Sequence, residues 1–510
     1  MRSKTAVVIG SGPNGLAAAI TLARAGHAVT VLEASPRAGG AIATEELTLP
    51  GFRHDTFSAV HPAGVASPVF ARFPLEQHGL RWVHPEVCCA HPLPGGPGAA
   101  LYRDLDRTAA SLDALGCGDG ERWRAFAQPL LASFSALRAA MLSGFPPLAG
   151  AVRLTKGLGV RGALDLARVT LMPAEALAGE LFRAPGARAW LYGSALHTDA
   201  PLDAAGSALG AVYLSLLAHG SGWPSPEGGA GRLAQALVFY LESLGGVVRT
   251  GAAVTAVVAR GGRVTGVRLD GGEGVEAGIV IADVMPRALL RLTGGELPAR
   301  YARALTRYRY GPATLKVDWA LDGPIPWTDS AARAAGTVHV GGSEEDVVAA
   351  AAALTGRAGV LPQRPFLLLG QQSIADPTRA PVGKHTAWAY TRGPAATGWA
   401  AGSPAHVERM ETQVERFAPG FRDLILARHV LGPADLRARN ENLVDGDVGG
   451  GSYAADQLIF RPLPALIPYR TPVRGLYLGS AATYPGGGVH GVCGHAAARV
   501  ALAEARLRRI

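Results

Sequence analysis

The stretch Val7-Val8-Ile9-Gly10-Ser11-Gly12-Pro13-Asn14-Gly15 decides the fold of this chain. It joins a short apolar run, which predicts a β-strand, to a G-x-G-x-x-G turn. Residues 16–25 are rich in good helix formers and end at Gly26, a typical residue after a helix. A second apolar run over 28–32 ends at Glu33. This order of strand, turn, helix, strand and acid predicts a βαβ unit that binds a dinucleotide.

Each part of this unit has its own physical role. Gly10 permits the tight turn, Gly12 lets the backbone approach a pyrophosphate, and Gly15 allows the helix to pack closely on the strand. The free N–H groups and the positive end of the helix favour a diphosphate. The Glu33 carboxylate can accept hydrogen bonds from a ribose diol, which both nicotinamide and flavin dinucleotides carry.

A second G-x-G-x-x-G pattern, at 157–162, lacks this context. The residues before it, 153–156, do not read as a buried strand, and the residues after it, 171–175, do not supply a second one. We therefore expect a loop between helices here. Without another dinucleotide motif, a separate NAD(P)H domain is not expected.

The residues after the second strand favour a flavin. Glu33-Ala34-Ser35-Pro36-Arg37-Ala38-Gly39-Gly40 has the pattern E-x-x-x-R-x-G-G. It resembles the second fingerprint of the glutathione-reductase-type flavoproteins, most closely the branch that holds phytoene desaturases and amine oxidases. The resemblance implies that the arginine and the paired glycines lie against the FAD diphosphate. An arginine fork matches phosphate in shape and charge.

The C-terminal region carries a second resemblance. A strand-like run over 475–480 is followed by Thr483-Tyr484-Pro485-Gly486-Gly487-Gly488-Val489-His490-Gly491 and a helix predicted over Val492–Leu507. This is similar to the T-x-P-G-x-G-x-x-G segment of phytoene desaturases, which implies that it passes the isoalloxazine. Ser480-Ala481 replaces the Gly-Asp of many flavoproteins, and Tyr484 stands where relatives usually have His.

The middle of the chain adds a third match. A glycine-rich turn and helix at 228–244 precede Val254, and strand-like runs follow at 264–269 and 278–282. The order resembles the return of the same family to its FAD domain, where a valine like Val254 meets the adenine. Segments 57–62 and 446–451 are similar to a carotene ketolase-like branch. Together the resemblances imply FAD as cofactor, held by Gly10, Ser11, Gly12, Pro13, Asn14, Gly15, Glu33, Ala34, Arg37, Gly39, Gly40, Val254, Ala282, Ser480, Gly488 and Val489.

The predicted architecture is α/β, with a Rossmann-like FAD-binding domain of the glutathione-reductase type beside an α+β substrate domain with a helical insertion. The FAD domain is predicted to be discontinuous, at 1–75, 225–295 and 470–510, and the substrate domain to cover 76–224 and 296–469. Residues 123–141 are periodic and predict helix. The active site is expected between the two domains.

Bulk properties limit the remaining possibilities. The chain has 510 residues, 48% of them hydrophobic, and a net charge of +9, so a large core is expected. The arginines show no nucleic-acid recognition pattern, and the four cysteines and the histidines have no metal-ligand spacing. No apolar run reaches the length of a membrane span, which predicts a cytoplasmic protein. No motif predicts an oligomeric state.

The segment 121–172 has seven basic and two acidic residues among many apolar ones. Two interpretations fit this composition: a peripheral surface for anionic lipid, or an ordinary solvated helical domain.

The expected reaction is the removal of hydride from a hydrophobic, polyene- or terpenoid-like substrate to flavin N5, with loss of a neighbouring proton. His490, Tyr484 and His61 are the candidates for handling the proton, and His197 is a further, weaker one. Three alternatives stay open: a carotenoid-type ketolase or isomerase, an amine oxidase, and a non-catalytic flavin-binding protein. The low aromatic content, 6%, does not indicate the aromatic cage of an amine oxidase.

Overall fold

The structure, a computed structural model, describes residues 5–355, 362–393 and 404–507. The strands in these residues are, in chain order, β1 (Thr5–Ile9), β2 (Ala28–Leu32), β3 (Thr44–Glu45), β4 (His54–Asp55), β5 (Trp82–Val83), β6 (Val87–His91), β7 (Ala99–Leu101), β8 (Ser225–Pro226), β9 (Val247–Arg249), β10 (Val254–Arg260), β11 (Arg263–Leu269), β12 (Gly274–Glu276), β13 (Ile279–Ala282), β14 (Ala313–Leu321), β15 (Ala335–Val340), β16 (Leu367–Gly370), β17 (His385–Gly393), β18 (Ile425–Leu431) and β19 (Leu476–Leu478).

The α-helices of the same residues are, in chain order, α1 (Pro13–Arg24), α2 (Pro62–Val65), α3 (Leu105–Asp113), α4 (Asp119–Ala132), α5 (Phe134–Met141), α6 (Leu148–Leu171), α7 (Ala174–Leu181), α8 (Pro185–Ala195), α9 (Ser207–Ser221), α10 (Gly231–Ser243), α11 (Pro286–Thr293), α12 (Ala299–Thr306), α13 (Ser330–Ala334), α14 (Glu344–Thr355), α15 (Pro404–Glu415), α16 (Pro433–Arg439), α17 (Ala455–Leu458) and α18 (Val492–Leu507).

A parallel five-stranded sheet with the order β19-β13-β1-β2-β9 contains the predicted dinucleotide unit. Strands β1 and β13 read TAVVI and IVIA, apolar runs typical of strands covered on both faces. Helix α1 packs against α10 and α18. Gly494 permits the contact with α18, because a Cβ there would lie 1.8 Å from the Asn14 carbonyl oxygen. The predicted α/β class and Rossmann-like sheet are confirmed.

A seven-stranded sheet with the order β18-β14-β17-β16-β15-β6-β7 forms the second layer. Its pairs are antiparallel except β15 with β6, which is parallel. Strands β14 and β17 pair along their full lengths, with Thr314 opposite Arg392 and Lys316 opposite Tyr390. Since side chains alternate between faces, these residues and Trp388 share one face of the sheet.

Helices α3 to α9 lie between β7 and β8 in the chain and pack around Trp123 and Trp190, whose ring centroids are 5.2 Å apart. The helical prediction for 123–141 is confirmed, although two helices, α4 and α5, meet at Ser133. No helix in the described ranges is long and apolar enough to cross a membrane.

The loop predicted at 157–162 is wrong, because these residues lie inside α6. Leu, Ala, Lys and Arg are good helix formers, and they surround the three glycines closely enough for the helix to continue through them. Only Gly159 leaves the helical conformation, with φ at +70°, and it kinks the helix there.

The five parallel strands come from chain segments around 5–32, 247–282 and 476–478, and the seven-stranded sheet comes from 87–101 and 313–431. The exact domain boundaries stay a prediction.

Candidate active site

A cavity of about 1030 Å³ lies at the carboxyl ends of the parallel strands. Gly10 follows β1, Glu33 follows β2, Asp283 follows β13 and Ser480 lies just beyond β19, and all four line this cavity. Ligands of open α/β sheets bind at this edge. The opposite wall is the face of the seven-stranded sheet that carries Lys316. The cavity is therefore large enough for a dinucleotide and a second organic molecule.

The cavity collects most of the predicted cofactor residues from both ends of the chain. Those on its wall are Gly10, Gly12, Pro13, Asn14, Glu33, Ala34, Arg37, Gly40, Val254, Ser480, Gly488 and Val489. Four others stand behind the wall: Ser11, Gly15, Gly39 and Ala282. The individual roles of these sixteen residues stay predictions. The residues on the wall are the ones that can contact a ligand in the cavity.

The glycine turn places a helix N-terminus at the cavity. Helix α1 begins at Pro13, and its N-cap residue Gly12 has no side chain to cap the helix. The first turn lies at the cavity wall, where Pro13 and Asn14 are lining residues and the Gly15 N–H donates to Asp283. A Cβ on Gly15 would lie 2.1 Å from the Gly10 carbonyl oxygen, and one on Gly40 would lie 2.9 Å from the Gly12 Cα. The two fingerprints therefore touch each other only because these positions lack side chains.

Glu33 is held in position by main-chain and side-chain donors. Its Oε2 accepts hydrogen bonds from Ser11 N at 2.9 Å and Ser11 Oγ at 2.6 Å, and its Oε1 accepts one from Ser35 N at 2.8 Å. Gly39 N donates to the same Ser11 hydroxyl at 3.1 Å. Ser11 and Gly39 thus act behind the wall, and the carboxylate keeps lone pairs for a ribose diol.

Arg37 lines the cavity, but its guanidinium is largely exposed and pairs with Glu45 at 3.0 Å. The Arg37 guanidinium would therefore bind a phosphate and the Glu45 carboxylate at the same time. Val254 begins β10 at the cavity wall, as the resemblance implies for the adenine end.

Asp283 is a site residue that the sequence analysis did not select. Its neighbour Ala282 is core, whereas Asp283 lies on the wall and accepts a hydrogen bond from Gly15 N at 2.8 Å through Oδ2. Burial raises the pKa of this carboxyl to about 7, and the nearby Glu33 acts in the same direction. An acid directly after a buried strand is the signal that could have revealed it.

The C-terminal glycine loop packs against another glycine loop. A Cβ on Gly487 would lie 2.0 Å from the Gly449 carbonyl oxygen, so the two backbones are in contact. The buried Arg461 lies behind this loop and donates to the carbonyl oxygens of Gly450 and Ser452, at 3.0 and 3.4 Å. The loop thereby presents Gly488 and Val489 to the cavity.

His490 lies on the wall but uses its ring within the loop. Its Nδ1 accepts a hydrogen bond from Val492 N at 3.1 Å, and its carbonyl oxygen accepts one from Ser67 Oγ at 2.6 Å. Burial lowers the pKa of His490 to about 4, against the opposite effect of the Gly486 and Gly487 carbonyls. This geometry favours a role in shaping the loop.

The other two proton-handling candidates differ sharply. Tyr484 is not among the described wall residues, and its hydroxyl donates to the Ala140 carbonyl oxygen at 3.1 Å. His61 is on the wall, 1% exposed, and neither ring nitrogen has a hydrogen-bond partner among the described residues. Burial lowers its pKa to about 4. Of the three, His61 offers an unpaired nitrogen to the cavity.

The wall formed by the second sheet contains side chains that the sequence analysis missed. Trp388 and Tyr390 stack with ring planes 4° apart and centroids 5.8 Å apart. Buried Lys316 pairs with Asp318, and Arg392 lies beyond Tyr390. His197, also on the wall, is hydrogen-bonded through Nε2 to Nε2 of His339 at 2.8 Å.

The residues present fit FAD. The cavity joins a helix N-terminus, a fixed carboxylate and a glycine cradle, and the buried Asn14 Oδ1 on its wall has no protein partner among the described residues. These features fit the class of FAD-dependent oxidoreductases.

Residues 14–501 match the family of flavin containing amine oxidoreductases, and the chain belongs to this family. It is 30% identical to mouse pyridine nucleotide-disulfide oxidoreductase domain-containing protein 2, over 98% of this chain and 93% of the relative. It is 27% identical to a lycopene-forming phytoene desaturase of Pseudescherichia vulneris, over 54% of this chain and 55% of the relative. The structure of cyclohexylamine oxidase from Brevibacterium oxydans superposes with a TM-score of 0.57 and 17% identity, covering 98% and 99% of the two chains.

The predicted enzyme class and the predicted cofactor FAD are thus confirmed. The resemblance to phytoene desaturases is confirmed only at the level of the wider group of flavin-dependent oxidoreductases, in which that enzyme is a distant relative.

Proposed function

We propose that the protein dehydrogenates a hydrophobic organic substrate, of the polyene or terpenoid type, that binds between the two sheets. Bound FAD supplies the two-electron chemistry by accepting a hydride. In this chain the turn at 10–15 would hold the diphosphate, Glu33 the ribose and the loop 486–490 the isoalloxazine end.

One observation carries this proposal: the substrate side of the cavity is lined mainly by apolar side chains. They come from helices α5, α9 and α17, from strand β16 and from the residues just after α5 and α9, and such a surface suits a hydrocarbon body. They include Met141, Leu142, Leu209, Leu214, Trp223, Leu368 and Leu458.

His61 is the residue we propose as proton acceptor. The proton that leaves the substrate together with the hydride needs an acceptor in a site from which water is excluded. With its pKa near 4, the imidazole is neutral at physiological pH, and both nitrogens lack protein partners among the described residues. The imidazole is a weak base at this pKa, which suffices if the departing hydride leaves a cation delocalised over a polyene, since the neighbouring C–H is then acidic.

Oxidation of an amine is the second candidate. The family and the fold fit it equally well, and the stacked Trp388 and Tyr390 offer π faces, which attract cations. However, Lys316 Nζ already lies 6.0 Å from the Trp388 ring centroid, and the Arg392 guanidinium carbon lies 5.6 Å from that of Tyr390. Asp318 balances the charge of Lys316, but no carboxylate is paired with Arg392 among the described residues. The charge of Arg392 therefore opposes the binding of a protonated amine, which supports the hydrophobic substrate.

Anaerobic mixing of the FAD-loaded protein with a substrate panel tests the proposal. The panel contains a polyene hydrocarbon, a monoterpene hydrocarbon and a primary amine, and the readout is bleaching of the visible flavin band. Bleaching by a hydrocarbon supports dehydrogenation, and a rearranged or oxygenated product would select an isomerase or a ketolase. Bleaching by the amine alone would select an amine oxidase. A flavin that no substrate reduces would leave a non-catalytic flavin-binding protein.

We also propose that α6 docks on anionic lipid. Leu148, Val152, Val160 and Leu164 are exposed along this helix, and Arg153, Lys156 and Arg161 flank them. Exposed apolar side chains with basic neighbours are typical of interfacial helices. The alternative, an ordinary solvated helix, does not require such exposed apolar residues.

The position of this helix supports the docking proposal. Phe145, just before α6, contacts Phe460 with ring centroids 6.3 Å apart, and Ile459 and Phe460 are half exposed. Their neighbour Leu458 lines the cavity. An apolar substrate dissolved in a bilayer would therefore meet the docking surface close to the cavity wall.

Co-sedimentation with vesicles of phosphatidylglycerol or of phosphatidylcholine tests this docking. We expect binding to the anionic vesicles at low salt, weakened in the double variant V160E/L164E. Val382→Glu is the matched control, because Val382 is fully exposed and lies outside α6. If the wild type stays in the supernatant with both vesicles, the docking proposal is wrong.

A further inference from the structure

Arg392 is a buried cation on the substrate side of the cavity. It is 9% exposed and lines the wall from strand β17. Its guanidinium donates to the carbonyl oxygens of Thr198 at 2.6 Å, His197 at 2.8 Å and Leu196 at 3.4 Å, just after helix α8. These carbonyl groups fix the orientation of the guanidinium but carry no full charge to balance it.

The other cations of the cavity wall have carboxylate partners. The pairs are Arg37 and Arg439 with Glu45, Arg291 with Glu441, and Lys316 with Asp318. Arg392 has no such ion pair among the described residues, and the segments 1–4, 356–361, 394–403 and 508–510 contain no Asp or Glu in the sequence.

The Asp447 carboxylate interacts electrostatically with Arg392 but forms no ion pair with it. Its oxygens instead accept hydrogen bonds from the N–H groups of Gly311, Gly449 and Gly451. A buried charge without an ion-pair partner is unfavourable. In the part of the chain that the structure describes, the wall therefore holds a cation that is not paired with a carboxylate.

A second, independent feature lies beside Arg392. Thr314 is its direct cross-strand neighbour on β14, is 1% exposed and lines the same cavity. Its hydroxyl has no hydrogen-bond partner among the described residues. Side chains of such pairs lie about 4.5–5.5 Å apart at Cβ on the same face of a sheet. A fixed guanidinium and a free hydroxyl thus face one region of the cavity.

We propose that the substrate carries a carboxylate, which binds to Arg392 and Thr314 while its apolar body extends along the cavity. This rests on the proposed function, and it defines the substrate class as a hydrophobic carboxylic acid instead of a plain hydrocarbon or an amine. The planar fork of an arginine matches the two oxygens of a carboxylate, and a threonine hydroxyl can donate to one of them. The wall next to this pair is apolar, with Leu368 and Tyr390 among its members.

Calorimetric titration of the FAD-loaded, oxidised protein tests this without turnover. The probes share one chain length and differ in the terminal group: dodecanoate, dodecyl phosphate, dodecanol and dodecylamine, each kept below its micelle concentration. We expect dodecanoate to bind about 10–100-fold more tightly than dodecanol, as one charge-assisted contact in a buried site predicts. Equal affinities, or tighter binding of dodecylamine or dodecyl phosphate, would overturn the assignment.

Variants test whether Arg392 and Thr314 cause the preference for dodecanoate. Arg392→Gln should remove the preference for dodecanoate over dodecanol, Arg392→Lys should retain part of it, and Thr314→Val should reduce it less than Arg392→Gln. Arg303→Gln, on an exposed face of α12, is the control and should change nothing. The flavin spectrum of each variant reports whether the fold and the cofactor are intact. A preference that persists in Arg392→Gln would overturn the proposal.

The two proposals fail separately. If a hydrocarbon bleaches the flavin but dodecanoate shows no preference, the dehydrogenation stands and the carboxylate site is wrong. If dodecanoate is preferred through Arg392 but no hydrophobic substrate reduces the flavin, the carboxylate site stands and the proposed reaction is wrong.

Discussion

Asp283 couples the protonation of a single carboxyl to the glycine turn. In the folded protein its pKa is about 7, raised from 3.8 chiefly by burial. The folded state therefore keeps a proton that the unfolded chain has lost, and the free energy of unfolding falls as pH rises from about 4 to about 7. Asp283→Asn should remove this dependence, so that the variant is more stable than wild type at about pH 8. Melting temperatures across this range measure it.

Asp270→Asn provides the control for this prediction. Asp270 is exposed, so the same chemical change there should leave the pH profile of the melting temperature unaltered. The interpretation fails if Asp283→Asn and wild type lose stability in parallel between acid and neutral pH.

His61 and His490 are predicted to have different roles in spite of similar pKa values. His61→Gln should keep FAD but slow flavin reduction by substrate about 100-fold or more, since it removes the proton acceptor. In wild type the reduction rate should fall as pH drops through about 4, where His61 becomes protonated. Stopped-flow reduction under anaerobic conditions gives both results.

His490→Ala should instead weaken FAD binding, because the ring accepts the Val492 N–H that shapes the loop. His84→Gln, at an exposed histidine, is the control for both variants. An H490A protein that binds FAD normally and loses only the reduction step would reverse the two roles.

Sequence patterns predict residues of the site where the signal is local. The turn at 10–15 and Glu33 follow from a short motif, because neighbouring residues build one contact surface. Lys316, Trp388 and Arg392 carry no such motif. They meet only because β14 pairs with β17, some seventy residues later in the chain, and side-chain alternation then turns them to one face.

At the scale of elements, the contact between the loops at 449–451 and 486–490 depends on missing side chains. Gly487→Ala would place a Cβ 2.0 Å from the Gly449 carbonyl oxygen and 2.6 Å from the Tyr453 hydroxyl. We expect a loss of about 1–3 kcal/mol in stability, typical of overpacking, and weaker FAD binding. Gly274→Ala is the control, since nothing lies within 4 Å of a Cβ there. Chemical denaturation and flavin fluorescence titration measure the two effects.

Element predictions succeeded where one structure was favoured by both composition and context. The strand over 28–32 and the helix over 492–507 have the predicted bounds. The loop predicted at 157–162 is wrong because good helix formers on both sides of the three glycines keep these residues within α6. Of the three glycines, only Gly159 adopts a non-helical conformation, so the helix is kinked at this one residue and continues on both sides of it.

At the scale of the whole molecule, the N-terminal turn and the C-terminal loop meet at one cavity although nearly the full chain separates them. One FAD molecule would contact both, whereas ADP lacks the flavin half. In hydrogen exchange, we expect FAD to protect residues 10–16 and 487–493 together. ADP should protect only the first segment.

This comparison separates a shared cofactor from a general stabilisation. Any ligand that binds only the folded state slows global opening everywhere, by a factor that depends on its affinity and concentration. ADP and FAD are therefore compared at equal saturation. Protection of both segments by ADP would indicate global stabilisation, and protection of the first segment alone by FAD would mean that the C-terminal loop does not hold the flavin. If FAD protects 487–493 and ADP does not, the flavin half of FAD is needed for this protection. Only that result shows that both segments contact the same FAD molecule.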